Sequence, residues 1–170
     1  MQPEARPLFT NEDAAALHPN WQRDDHLIAV LAENARRFPD HVAMRERDQG
    51  IWQEYSWSDY LDQVLCFAAG LELLGVKPED NILVIGDNRP ALYFGMLGAI
   101  ALRAVPSPAY PDTTPEEVAG QMRREGIRFA LAEDQEQVDK LLHIREQYPE
   151  LETIIFDDPR GLKGKEPAGA

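Results

Sequence analysis

The sequence predicts an α/β fold: a mainly parallel sheet with helices on both faces, entered through an N-terminal β-hairpin. Three observations predict it. The run Ile82-Leu83-Val84-Ile85, ending at Gly86, is apolar without alternation, which suits a strand covered on both faces, as in a parallel sheet. The segment from Pro90 to about Leu102 is apolar nearly all round, as a helix inside a protein or a bilayer would be. It falls well short of the ~20 residues a bilayer needs, so it reads as a core helix. After a hairpin pattern, helical and extended segments then alternate to the end of the chain, the mark of consecutive βαβ units.

Taken in order, residues 1–22 carry three prolines and no sustained period and read as an N-terminal arm. Residues 23–158 read as the α/β subdomain, and residues 159–170 as a tail with almost nothing to bury, expected to be disordered. Asp25 is placed to cap a helix from His26 to about Arg37, where Leu27, Val30, Leu31 and Ala35 share a face and Phe38-Pro39 ends it. Val42 to Arg47 and Ile51 to Ser56 flank Asp48-Gln49-Gly50, a hairpin signature. Ser56-Trp57-Ser58-Asp59 resembles a capping box opening a helix to about Leu74, with Leu61, Val64, Leu65, Ala68 and Leu71 inward. Gly75 stops it.

The strand of Ile82–Ile85 follows, then the core helix, with Pro90 in its first turn. Gly95 and Gly98 are expected to let another backbone approach. Val105-Pro106-Ser107-Pro108 reads as the next strand. Thr114, Pro115 and Glu117 form a fuller helix start, and Gly126 ends that helix. Ile127–Ala132 is a strand, Asp134 opens a helix whose Val138, Leu141, Leu142 and Arg145 share a face, and Thr153–Phe156 is the last strand.

The formal net charge of −13 repels phosphate backbones and anionic lipid, and argues against nucleic acid as a partner. No transmembrane segment, signal peptide or lipidation motif is expected. The single cysteine, Cys66, fits a reducing cytoplasm and, lying in a helical pattern, is expected to be a small core residue. Ligands of open α/β sheets gather beyond the carboxyl ends of the strands. By that rule the best-placed polar loops are Gly86-Asp87-Asn88-Arg89 and Ser107 to Thr113, with helix capping the competing role. A dinucleotide fingerprint and a P-loop are both lacking, the four histidines have no paired ligand spacing, and no serine sits in a nucleophile elbow. Asp157-Asp158 has the look of an acidic metal pair, but Pro159 favours a turn. From residues alone there is no complete active site: no catalytic, cofactor-binding or metal residue is assigned.

Three segments, WQEYSWSDY (52–60), GLELLGVKPEDNILVIGDNRP (70–90) and GAIALRAVPSPAYPDTTPEEV (98–118), together resemble the start of the adenylate-forming, AMP-binding acyl-CoA synthetases. RFALAEDQEQVDKLL (128–142) and LETIIFDDPRGL (151–162) look most like the long-chain fatty acid branch, especially its bacterial members. The similarity runs from about Asn20 to Leu162. One departure is Ala101-Leu102-Arg103-Ala104, where the family often has a glycine near Arg103.

The resemblance implies a partial N-terminal domain of an ATP-dependent ligase. In that family a carboxylate attacks the α-phosphorus of ATP with Mg²⁺ to give an acyl-adenylate, and coenzyme A then displaces AMP. The family's phosphate loop, its Tyr-x-Thr-Glu segment, its ribose-binding Asp and its catalytic Lys all come later in the chain, and none is found here. The expectation is therefore an N-terminal fragment, structural and not catalytic on its own. ATP, Mg²⁺, coenzyme A and a fatty acid belong to the full-length family. Its expected partners are the remainder of the synthetase, or a second copy met through an exposed apolar face. The alternatives are a stand-alone α/β binding or regulatory module, and a nucleotide-binding α/β protein unrelated to the ligases.

Overall fold

A computed structural model of the chain describes residues 26–162. The expected arm over 1–22, the Asp25 cap and the tail beyond 162 lie outside the described residues. Among the described residues there are five helices and six strands: α1 (Leu27–Arg37), β1 (Val42–Asp48), β2 (Ile51–Ser56), α2 (Trp57–Leu73), β3 (Asn81–Ile85), α3 (Pro90–Ala101), β4 (Val105–Ala109), α4 (Pro115–Glu125), β5 (Phe129–Ala132), α5 (Gln135–Arg145) and β6 (Thr153–Phe156). Strands β1 and β2 form an antiparallel hairpin, and β4-β3-β5-β6 form a four-stranded sheet that is parallel throughout. The expected fold class is the one observed.

Local chemistry accounts for most element ends. The β1–β2 turn places Gln49 and Gly50 at φ 46° and 84°, the double positive φ of the hairpin turn whose twist matches its strands. Helix α2 opens on a complete capping box between Ser56 and Asp59, and α4 on one between Thr114 and Glu117. Gly126 at φ 63° ends α4, with the Ile127 N–H donating back to the Met122 carbonyl. Helix α1 is capped by His26, whose Nδ1 accepts the Ala29 N–H at 3.2 Å. Arg103 stands at φ 62°, the left-handed region that favours glycine. The departure noted in the sequence thus falls on the residue whose backbone needs that freedom.

The sheet is the centre of the molecule. Strands β3 and β5 are buried almost end to end. Helices α4 and α5 cover one side, where Leu83, Ile85, Val118, Met122, Ala130 and Leu141 pack together. Helices α2 and α3 cover the other, through Leu71, Ile82, Ala99 and Phe129. A Cβ on Gly98 would lie 3.0 Å from the Ala68 backbone nitrogen, so α2 and α3 do touch at backbone distance. Gly95 instead makes room for the Leu131 side chain.

Four side-chain expectations are corrected. Leu65 is 49% exposed; Phe67 takes its place among the residues packed toward Phe94. Cys66 is exposed, because it lies about 200° around the helix from the buried Val64. Leu27 is 57% exposed, so α1 rests on Leu31 and Ala35. On α5, Ile144 is the buried residue where Arg145 was expected. Structure also continues into the expected tail: Leu162 donates to the Pro159 carbonyl and is buried in the core.

Candidate functional site

The carboxyl ends of β3, β4, β5 and β6 share one rim of the sheet, and two clefts open there. The first, of about 270 Å³, is lined by Gly86, Asp87 and Asn88 after β3, by Leu92, Tyr93 and Met96 on α3, and by Pro108, Ala109 and Tyr110 at the end of β4. It brings together the two loops that the sequence singled out. Its floor is apolar, and Tyr110 stands 80% exposed at its edge. The far side of the second loop is anchored: Lys140 on α5 donates to the carbonyls of Pro111 and Thr113 at 2.5 and 2.9 Å.

The second cleft, of about 410 Å³, joins the hairpin to the sheet. Glu46, Asp48, Glu133, Asp157 and Asp158 line it with Arg89 and Arg160. Glu133 is its organising residue, and the sequence reading missed it. It directly follows β5, as Gly86 follows β3, so its position in the chain was the available signal. Strand order reverses direction between β3 and β5, the point where α/β folds usually seat an anion. Here the chain's own carboxylate sits there. Glu133 Oε2 accepts the Asp87 N–H at 2.6 Å and Oε1 accepts Arg89 Nε–H at 3.0 Å. A Cβ on Gly86, at φ 149°, would fall 2.4 Å from Glu133 Cβ, so this approach requires glycine.

Arg89 extends the contact outward. It lies 3.9 Å from Glu46 on β1, and Glu46 in turn accepts from Tyr55 Oη at 2.8 Å. Burial, then that hydrogen bond to Glu46, pushes the Tyr55 phenol up to about 12. Burial also pushes Tyr60 up to about 12. Asp157 is raised above the ordinary carboxylate range, first by burial and then by the charges of Glu46, Asp158 and Glu133, with Arg89 opposing. Asp158 is lowered by its bonds to Arg160, whose own backbone N–H donates to Asp158 Oδ1 at 2.9 Å. That is a turn closed by an aspartate, as Pro159 suggested. Among the described residues no cluster of three or more His, Cys, Asp or Glu is arranged to hold a metal ion. A phosphate entering the second cleft would meet five carboxylates and would have to displace Glu133 from its donors.

The family model described as "AMP-binding enzyme" matches residues 31–169. The chain belongs to the AMP-binding enzyme family. Its relatives within that family include the human long-chain-fatty-acid–CoA ligase ACSBG1, 24% identical over 127 residues, which are 75% of this chain and 18% of that protein. The long-chain-fatty-acid–CoA ligase FadD15 of Mycobacterium tuberculosis is 22% identical over 131 residues, 77% of this chain and 22% of that protein. Among solved structures, the N-terminal domain of FACL13 from Mycobacterium tuberculosis aligns with a TM-score of 0.69 at 19% identity, over 77% of this chain and 33% of that one. The chain therefore spans about a fifth of the length of these curated relatives and resembles the N-terminal part of adenylate-forming acyl-CoA ligases. Among the described residues no helix is long and apolar enough to cross a membrane.

Proposed function

We propose that these residues are the N-terminal scaffold of an ATP-dependent, long-chain fatty acid–CoA ligase, architectural and not catalytic by themselves. The observation that carries this reading is Glu133. At the reversal of strand order, where a nucleotide-binding α/β protein would present free donors, the Asp87 N–H and the Arg89 guanidinium are already engaged by that carboxylate. The names of the relatives support the long-chain substrate class. In the whole enzyme, ATP, Mg²⁺, coenzyme A and the fatty acid are handled by parts other than those described here, with the protein working in the cytoplasm. Exposed apolar side chains such as Leu73 and Leu65 are surface that the remainder of the synthetase, or a second copy, covers.

The test is pyrophosphate release by the purified chain with ATP, Mg²⁺, palmitate and coenzyme A. No turnover is expected; clear turnover overturns the reading. One observation favours a binding module instead: the apolar cleft beside Tyr93 and Tyr110, at about 270 Å³, falls just short of the ~300 Å³ at which small-ligand sites begin. Calorimetric titration with ATP or AMP decides between them, and saturable tight binding supports the module.

A further inference from the structure

The two walls of the apolar rim cleft are held in different ways. The Gly86–Asn88 wall is locked from behind. Glu133 accepts both the Asp87 N–H and the Arg89 Nε–H, and Gly86 packs directly on Glu133 Cβ. Pro90 then opens α3 at once, which leaves this wall no slack. The opposite wall is the segment from Tyr110 to Thr113, between the last residue of β4 and the Thr114 N-cap of α4. The Thr113 N–H donates to the Tyr110 carbonyl at 3.1 Å and closes these four residues into a turn. Prolines at 108, 111 and 115 fix their own φ and restrict the residue before each. The segment is therefore a stiff piece.

Lys140 ties that piece to α5. Its ammonium donates to the Pro111 and Thr113 carbonyls, so one side chain sets where the whole turn stands. Tyr110 gains nothing from that placement. Its side chain is 80% exposed at the edge of a cleft floored by Val84, Leu92 and Met96. A phenol is suited to covering such a floor, with the ring on the apolar surface and the hydroxyl left in water. Covering it requires the turn to move inward, away from Lys140. Hydrogen bonds from a charged donor are stronger than neutral ones, and two of them hold the turn back.

We propose that the Tyr110–Thr113 turn is a lid over the rim cleft, that Lys140 is the latch holding it open, and that Tyr110 is the group that closes it. With the latch released, the turn pivots at Ala109 toward α3, and the Tyr110 ring settles over Leu92 and Met96. The closed lid and any apolar group entering the cleft then compete for the same floor. The Glu133-locked wall does not move and serves as the fixed jaw. This inference goes beyond the scaffold reading and does not rest on it, because it concerns only groups within the chain.

The test compares the 170-residue chain with Lys140→Met and Lys140→Leu, which keep an apolar stem and remove the donors. Hydroxyl-radical footprinting read by mass spectrometry reports the exposure of Tyr110, with Tyr148, 7% exposed, as the internal reference. Both variants should lower the Tyr110 modification rate by about threefold or more, as its ring passes from water onto the apolar floor. The Tyr110 ring should also gain nuclear Overhauser contacts to the Leu92 and Met96 methyl groups. Lys77→Met, which removes an exposed lysine elsewhere, should leave the Tyr110 rate unchanged. A merely structural role for Lys140 gives the opposite sign, since a turn that frays exposes Tyr110 further. An unchanged or faster Tyr110 rate in the Lys140 variants overturns the inference, as does an equal fall in Lys77→Met. Loss of the fold in both Lys140 variants overturns it too, because it makes that lysine a strut of the core.

Discussion

The hairpin half of the molecule and the sheet half are built on different terms. Not one residue of β1 or β2 is fully buried, whereas all four residues of β5 and four of five in β3 are. The hairpin holds itself together through its own ladder and through cross-strand pairs such as Arg45–Glu54 at 2.7 Å. It touches the rest through an aromatic cluster, where Tyr55 meets Phe94 edge-on at 5.4 Å and Tyr60 lies 5.4 Å from the same ring, and through Glu46, 3.9 Å from Arg89. The sheet half is held by burial on both faces. Helix α3 belongs to both: Phe94 packs toward the hairpin side, Leu92 and Ala99 toward the sheet. The contrast shows where stability resides and where a neighbour can be tolerated or lost.

Mutations should expose that difference. Leu83→Ala empties a site that is 0% exposed and should cost about 2–5 kcal/mol in chemical denaturation. Trp52→Ala removes a larger side chain, but one 63% exposed on the hairpin, and should change stability by no more than ~0.5 kcal/mol. A cost for Trp52 near that for Leu83 would break the comparison.

The two capping boxes test whether local chemistry is equal in the two halves. Ser56→Ala at the start of α2 and Thr114→Ala at the start of α4 should each cost about 1 kcal/mol. Arg103→Gly relieves a left-handed backbone and should gain about 1 kcal/mol or somewhat less, since glycine also frees the unfolded chain.

The smallest effect is a pH dependence at the seam. Asp157 has its folded pKa raised by burial and by Glu46, Asp158 and Glu133. Its charged form therefore opposes folding. The group's favourable contribution is present below the ordinary aspartate pKa and is lost as pH rises through the raised value. Asp157→Asn should accordingly raise Tm at pH 7, with the advantage shrinking as pH falls through that window. An advantage that stays constant with pH assigns the effect to something other than charge.

Legibility followed the kind of force involved. Both capping boxes, the Gly126 stop and the Gln49-Gly50 turn could be read directly, because each is settled within a few residues. The Ile82–Ile85 strand and the all-round apolar helix could be read because full burial leaves no polar face in the sequence. Leu65, Cys66 and Arg145 were misplaced because helical phasing from hydrophobicity alone leaves about a residue of freedom, and the neighbour decides which residue turns inward. Glu133 left no motif: nothing local distinguishes a glutamate that fills a crevice from one that faces water.

By itself, then, the amino-acid order determined the element types, many of their ends, the parallel sheet and the family, since propensity, capping and periodicity are short-range and additive along the chain. Only the tertiary structure decided that Glu133 reaches 46 residues back to the Asp87 N–H, that Arg89 ties Glu46 to Glu133, and that Pro106 and Pro108 fall on an outer strand of the sheet. Those outcomes depend on which strands become neighbours and in what register, and they follow from packing the whole core at once.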